Sequence, residues 1–165
     1  MGMRLVLVAV DGEAFRSALA SENYFAAESL PGAGGVVDVD KMWQALSLLT
    51  TPAEGSVMER IDAVDPLDPI LGGEEVGPDL GYGPIRVHRP ENVVSVHAHL
   101  SARTDAQLRS RYDPAEWGSS EVYPFCWDED SDDLWDEEIA PYLVAVRELY
   151  ARSAAAGQSV VIELS

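Results

Sequence analysis

Residues 126–138 read CWDEDSDDLWDEE, and eight of these thirteen side chains are carboxylates, interleaved with Trp127 and Trp135. Carboxylates at that density suit three kinds of chemistry: ligation of a divalent cation, capping of a helix amino end, or presentation of negative potential to a basic partner. A calcium loop needs oxygens at loop positions 1, 3 and 5, glycine at 6 and glutamate at 12. Counted from Asp128, the oxygens are present in Asp130 and Asp132, but position 6 is Asp133 and position 12 is Ile139. A looser divalent site is the weakest of the three readings, and no metal ligand is assigned.

Capping needs one or two acids, not eight. The window 112–146 holds eleven acids and no lysine or arginine. Like charges so placed repel unless something compensates the field. Asp128, Glu129, Asp130, Asp132, Asp133, Asp136 and Glu137 are therefore the candidate contacts for a basic protein partner. Trp127 and Trp135 are expected to turn inward as anchors.

A second constellation points to a pocket. The glycine-rich stretch 72–84, GGEEVGPDLGYGP, lacks the Gly-Lys-Ser/Thr of a phosphate loop, and its Glu74, Glu75 and Asp79 would repel phosphate. Its glycines read as consecutive turns, or as a lid presenting Tyr82 and Arg86. Asp38, Asp40, Lys41 and Trp43 form a polar cluster at a helix start, read first as a buried ion pair. With Tyr82 and Arg86 they would instead edge a small-ligand pocket beneath the 72–84 loop. The three histidines, His88, His97 and His99, make no His-Glu-x-x-His pattern, and Cys126 is the sole cysteine. Zinc is not indicated, and His97 reads as a hydrogen-bonded core residue. No Gly-x-Ser-x-Gly is present, and Cys126 lies among acids that blunt thiolate chemistry. Neither a catalytic residue nor a cofactor is assigned.

The whole composition agrees with an acidic binding protein. Twenty-nine acids against eleven bases leave a net charge of −18 in 165 residues. That field opposes nucleic acid and anionic membrane. A chain of this length buries roughly 70% of its unfolded surface and needs no disulfide or metal staple. A lone cysteine excludes an intramolecular disulfide and suits a reducing cytoplasm. The opening MGMRLVLVAVDGE has six apolar residues in a row, too few for a signal peptide or a membrane span.

Those side chains must be held by elements whose signals are uneven. Leu5–Val10 reads as a buried strand, and Asp11 as the cap of a helix bearing Phe15, Ala18, Leu19 and Phe25. PGAGG at 31–35 reads as a loop. Met42, Trp43, Leu46 and Leu49 make a helical stripe capped by Asp38 or Asp40. Thr51 to Glu54 has the spacing of a capping box. The Pro- and Gly-rich 62–84 reads as a long surface loop with one helical turn near Pro69. Ile85–His88 is a short strand, Pro90 opens a helix, and Thr104 and Asp113 cap two more. Ile139, Leu143, Val146, Leu149 and Tyr150 form the best helical face, begun near Pro141 and stopped by Gly157. Ser159–Leu164 is a last strand. The sum is an α+β fold in a single domain over 1–165. It has a small mixed sheet that includes the N- and C-terminal strands, packed with five or six helices.

Several phrases, in order, carry a resemblance: MGM, VDVDKMWQALSLLT, DPILGGEEVGPDLGYGP, LRSRYDP, VYPFCW and AAAGQSVVIELS. They resemble the YfbM-like family of small bacterial proteins, a domain of unknown function, over nearly the whole chain. The resemblance implies one α+β domain in the bacterial cytoplasm and carries no catalytic residues. Members often place an acid and a histidine after the shared tryptophan, where this chain has Gln44 and Ser47. The reading favoured is a non-enzymatic binding protein docking a basic partner, in concrete form an immunity-type protein. The alternative is a small-ligand protein or hydrolase-like enzyme with its pocket under 72–84.

Overall fold

The computed structural model describes residues 2–20, 27, 30, 33–127 and 131–165. Five strands run in the order β2-β1-β5-β4-β3. They are β1 Leu5–Val10, β2 Ala33–Asp40, β3 Glu74–Val76, β4 Ile85–His88 and β5 Ser159–Leu164. Every neighbouring pair is antiparallel, so the sheet is not mixed as the sequence suggested. The two chain ends meet in its middle, Leu5 opposite Leu164 and Val10 opposite Ser159.

The unbroken apolar run of β1 follows from its position, because a central strand covered on both faces has no polar side. Leu5, Leu7 and Ala9 enter the main core with Leu46, Val96, Leu143 and Leu149. Val6, Val8 and Val10 enter a smaller core with Phe15, Ile85 and Val161. Phe15 belongs to α1 Gly12–Ala20, which Asp11 caps through the Glu13 amide at 2.9 Å. Phe25 lies outside the described residues.

Glycines 34 and 35 are strand, not loop. Leu149 crosses β2 there, and a Cβ at Gly35 would stand 3.2 Å from its methyl group. The strand then ends in a left-handed turn at Asp40, φ 45°. The α2 helix, Trp43–Thr50, is entered through Met42, so neither Asp38 nor Asp40 caps it. The capping box belongs to Ser56 and Glu59, at the head of α3 Val57–Asp62, and not to Thr51 and Glu54. Within 62–84 the chain is more ordered than its composition implies. Residues 65–73 wind tightly, with Gly72 N–H on the Asp68 carbonyl and Gly73 N–H on that of Pro66, both 3.0 Å. β3 then pairs with β4 as an edge hairpin.

Three short helices follow as the capping signals imply: α4 Pro90–Ser101, α5 Asp105–Arg109 with a Thr104/Gln107 box, and α6 Pro114–Ser119 capped by Asp113. The last helical stretch starts earlier than Pro141. It comprises α7 Ser131–Leu134, a π turn Trp135–Ile139 and α8 Ala140–Ala156. Proline has no N–H and crowds the carbonyl four residues back. The wider π turn just ahead, closed by Ala140 N–H on the Trp135 carbonyl, lets the helix continue through it. Gly157, φ 63°, ends α8, and Gln158 N–H reaches the Ser153 carbonyl at 2.9 Å. No helix among the described residues is long and apolar enough to cross a membrane.

One helix end organises this assembly. The last carbonyls of α2 lie in the interior, with Leu49, Thr50 and Thr51 buried. A helix leaves its final carbonyls without partners, and they carry the negative end of its dipole. Here Arg60 donates to Leu48 O at 2.8 Å, Arg103 to Leu49 O at 3.3 Å, and His99 Nε2 to Thr50 O at 2.9 Å. Arg111 donates to both Thr51 O at 2.9 Å and Ala53 O at 3.1 Å. Replacing Arg111 by Met strips two carbonyls at once. The expected loss is about 2–3 kcal/mol of unfolding free energy in urea titrations, against less than about 0.5 kcal/mol for Met at exposed Arg16. Equal losses at the two positions would contradict the role given to this cap.

Candidate functional site

Asp132 and Asp133 stand in α7, Asp136 and Glu137 in the π turn, and all four are exposed. Asp128, Glu129 and Asp130 lie outside the described residues. Ile139, fully buried, fixes the inner side of this segment. Only Asp132 meets a cation: Arg109 pairs with it at 2.5 Å. The same guanidinium lies over the rings of Tyr112 and Trp135, at 4.8 and 4.9 Å. Asp133, Asp136, Glu137 and Glu138 have no ion pair among the described residues. No group of three or more His, Cys, Asp or Glu among those residues is placed to hold a metal ion.

Behind the acids stands an aromatic wall. Trp127 packs edge-on to Trp117 at 4.9 Å, and Tyr112 touches Trp117 at 5.0 Å and Trp135 at 5.3 Å. Trp127 is buried as expected, but Trp135 is only half-buried. It lines a groove between the long helix and α5. The groove's acidic end, about 490 Å³, is bounded by Asp105, Asp132 and Asp136. Its narrow apolar middle passes Trp135, Leu143 and Val144. Its far end, about 350 Å³, meets His97, Arg103 and Arg147.

The pocket candidates are not gathered in one place. Asp38 and Asp40 are on β2, while Arg86 is on β4 and Tyr82 is at the tip of the β3–β4 hairpin. β1 and β5 lie between, so β2 and β4 are three strand spacings apart, about 14 Å. Tyr82 is 56% exposed, and Arg86 is paired with Glu75 across the hairpin. Trp43 is core, stacked on Tyr123 at 5.6 Å. The ion pair at this end joins Arg4 to Asp38 at 2.8 Å and is exposed, while Lys41 makes none. Asp38 and Asp40 instead lie near Tyr142, as does Glu138. The Tyr142 phenol is raised by burial and then by the fields of Glu138, Asp40 and Asp38.

The most perturbed titratable groups lie elsewhere and were missed in the sequence. Asp68 is buried, taking Ser47 Oγ–H at 2.5 Å and the amides of Ile70 and Leu71 at 2.8 and 3.1 Å. His88 Nε2 donates to the Asp68 carbonyl at 3.0 Å, and Tyr150 O–H to that of Pro69 at 2.7 Å. Burial pushes the Asp68 carboxyl up to about 6 against the pull of its hydrogen bonds. It also lowers His88 and, together with Asp68, raises Tyr150. Serine, aspartate and histidine are close, but the Ser47 hydroxyl is taken by the Asp68 carboxyl, and His88, 0% exposed, turns its Nε2 to a backbone carbonyl instead. The cluster clamps segment 65–73 onto the core. His88 is thus the buried histidine, whereas His97 is half-exposed beside Ser101. The missed signal was Asp68 itself, an acid inside the apolar phrase PLDPIL.

Asp68 ionises ordinarily near 3.8 and in the fold near 6. The folded state therefore holds this proton more tightly, and its contribution to stability is full below about pH 4 and lost as pH rises to about 6. A rise of that size corresponds to about 3 kcal/mol. Asparagine keeps an acceptor for the two amides and does not titrate. Asp68→Asn is expected to gain about 2–3 kcal/mol on wild type between pH 4 and pH 7, read from urea unfolding at both. A difference that does not change with pH would refute the assignment.

Gln44 and Ser47, which take the place of the acid and histidine that the resemblance led one to look for, are both structural: Gln44 Oε1 accepts the Tyr123 amide at 2.8 Å, and Ser47 holds Asp68. No curated protein matches the chain. The crystal structure of a protein of unknown function, YfbM from Escherichia coli, matches with a TM-score of 0.70 over 98% of this chain and 99% of that one. At 19% identity this likeness is one of fold. The family described as Domain of unknown function (DUF1877) matches residues 1–163. The chain belongs to the DUF1877 family, and is YfbM-like in its α+β architecture.

Proposed function

We propose that this protein binds a basic protein partner through the acidic side formed by α7, the π turn and the end of β2. The observation that carries the reading is how the arginines are distributed. Glu74, Glu75, Glu54, Asp105 and Asp38 each have an arginine of their own. Arg60 and Arg111 are spent on the carbonyls that end α2. Asp133, Asp136, Glu137 and Glu138 are left exposed and uncompensated on a helix held rigid from behind by Ile139. Fixed, unpaired charge on one side raises the rate of encounter with an oppositely charged surface and selects against acidic ones. An immunity-type protein that neutralises a basic toxin is the concrete form of this reading. A small-ligand site beneath 72–84 has no comparable support, since the groups proposed for it lie toward opposite edges of the sheet.

The test is kinetic. Against an immobilised Gly-Lys repeat peptide of twelve residues, association is expected to slow about tenfold as salt rises from about 0.02 to 0.2 M. The triple variant Asp133→Asn, Asp136→Asn, Glu137→Gln should associate more slowly and with a flatter salt dependence. The control Glu13→Gln, Asp62→Asn, Glu91→Gln changes net charge equally at exposed positions elsewhere. Equal slowing in both variants would assign the attraction to total charge and leave no docking side.

A further inference from the structure

Residues 120–127 join α6 to the long helix, and two non-glycine residues there take left-handed backbone: Glu121 at φ 54° and Phe125 at φ 68°. An L-side chain is strained in that region, and a bulky aromatic more than glycine or asparagine. Burial does not repay the strain at Phe125, because its side chain is 65% exposed. On grounds of folding alone, glycine would be better here twice over, relieving the backbone and removing exposed apolar surface. Strain of this kind collects at sites of function.

The ring has an aromatic neighbour. It packs edge-on to Tyr123 at 5.6 Å, and Tyr123 stacks on buried Trp43. The Phe125 amide donates to the Val122 carbonyl at 3.0 Å. Beside the ring opens a hollow of about 430 Å³. Trp127 also borders it but is only 4% exposed, anchored by its indole N–H on the Val122 carbonyl at 2.6 Å. The rim is the exposed Glu121, which has no ion pair among the described residues. An exposed aromatic ring beside an exposed carboxylate suits a planar cation, which can stack on the ring and donate in-plane hydrogen bonds to the acid. Lysine, compact and strongly hydrated, uses such a notch less well.

We propose that Phe125, Trp127 and Glu121 form a notch that receives an arginine side chain of the basic partner. The proposal rests on the acidic-side docking reading and adds the residue that anchors it. Aromatic contacts connect the two places, Trp127 reaching Trp135 through Tyr112. A second copy of this chain is a poor occupant, because two molecules each of charge −18 repel.

Two twelve-residue peptides of equal charge, alternating Gly-Arg and Gly-Lys, separate the possibilities. Wild type is expected to bind the arginine peptide about two- to fivefold more tightly than the lysine peptide in calorimetry. Phe125→Gly should abolish that preference, leave the lysine peptide's affinity unchanged and unfold at equal or higher urea. Phe125→Leu keeps apolar bulk without the ring's charge distribution, so it too should lose the preference, and it decides the matter if the glycine variant folds poorly. A preference that is absent in wild type, or that survives both substitutions, overturns the notch while leaving the acidic side standing. Failure of both peptides to bind overturns both proposals. A wild-type dimer in sedimentation that dissociates on Phe125→Gly would assign the notch to a second copy and also overturn the proposal.

Discussion

The fold turns on closing one buried helix end. The α2 helix points its last carbonyls into the interior, where water cannot satisfy them, and an unpartnered buried carbonyl is costly. The donors come from four separate places in the chain: α3 for Arg60, α4 for His99, the α4–α5 link for Arg103 and the α5–α6 link for Arg111. The short helices that follow the sheet are thereby tied to a single point, although each is too brief to be stable by itself. A carbonyl is the only acceptor His99 faces there, so its Nε2 carries the proton.

That closure also shapes the surface. The chain has eleven basic residues for twenty-nine acids, so every arginine turned inward leaves an acid without a partner. Arg147 continues the same use, donating to the Arg103 carbonyl as well as pairing with Asp105. Three more pairs fall at the hairpin edge and beside β1, one joins Arg103 to Glu54, and one joins Arg109 to Asp132. The acidic side is therefore partly a consequence of how the interior is satisfied. Positive charge is drawn to carbonyls in the middle of the molecule, and in the last helical stretch Asp132 alone of the described carboxylates has an arginine, while Asp133, Asp136, Glu137 and Glu138 have none.

Much of this was legible where one residue sets a local rule. Asp11, Thr104 and Asp113 cap helices, Gly157 stops one, and the apolar run Leu5–Val10 could only be an inner strand. What could not be read depended on contacts distant in sequence. Gly34 and Gly35 look like a loop until Leu149 is known to cross them. Asp68 looks like one more acid in a Pro-rich loop until Ser47, twenty-one residues earlier, is seen to donate to it. The separation of the pocket candidates could not be read for the same reason. The spacing of Asp38 and Arg86 in sequence says nothing of the two strands that come between them, one from each end of the chain. The acidic run was legible as a run, but which of its described acids would meet an arginine was not, because that depends on where ten arginines go.

The acidic side survives as a stable surface because the long helix divides its labour around its circumference. Ile139, Val146, Leu149 and Tyr150 are buried nearly completely and hold one side of it against the sheet and α4. The π turn adds one residue to a helical turn, which rotates what precedes it by about 100° relative to α8. That rotation lets Pro141 sit within a continuous helix while Trp135 faces Arg109 and the neighbouring acids stay in solvent. Repulsion among those acids is opposed by burial on the far side of the same helix and by the Arg109 guanidinium, which lies against the adjoining rings of Tyr112 and Trp135. The charge can then be both concentrated and fixed, which a flexible acidic tail cannot achieve. Exposed charge beside a strained, exposed phenylalanine is an arrangement that folding alone does not call for.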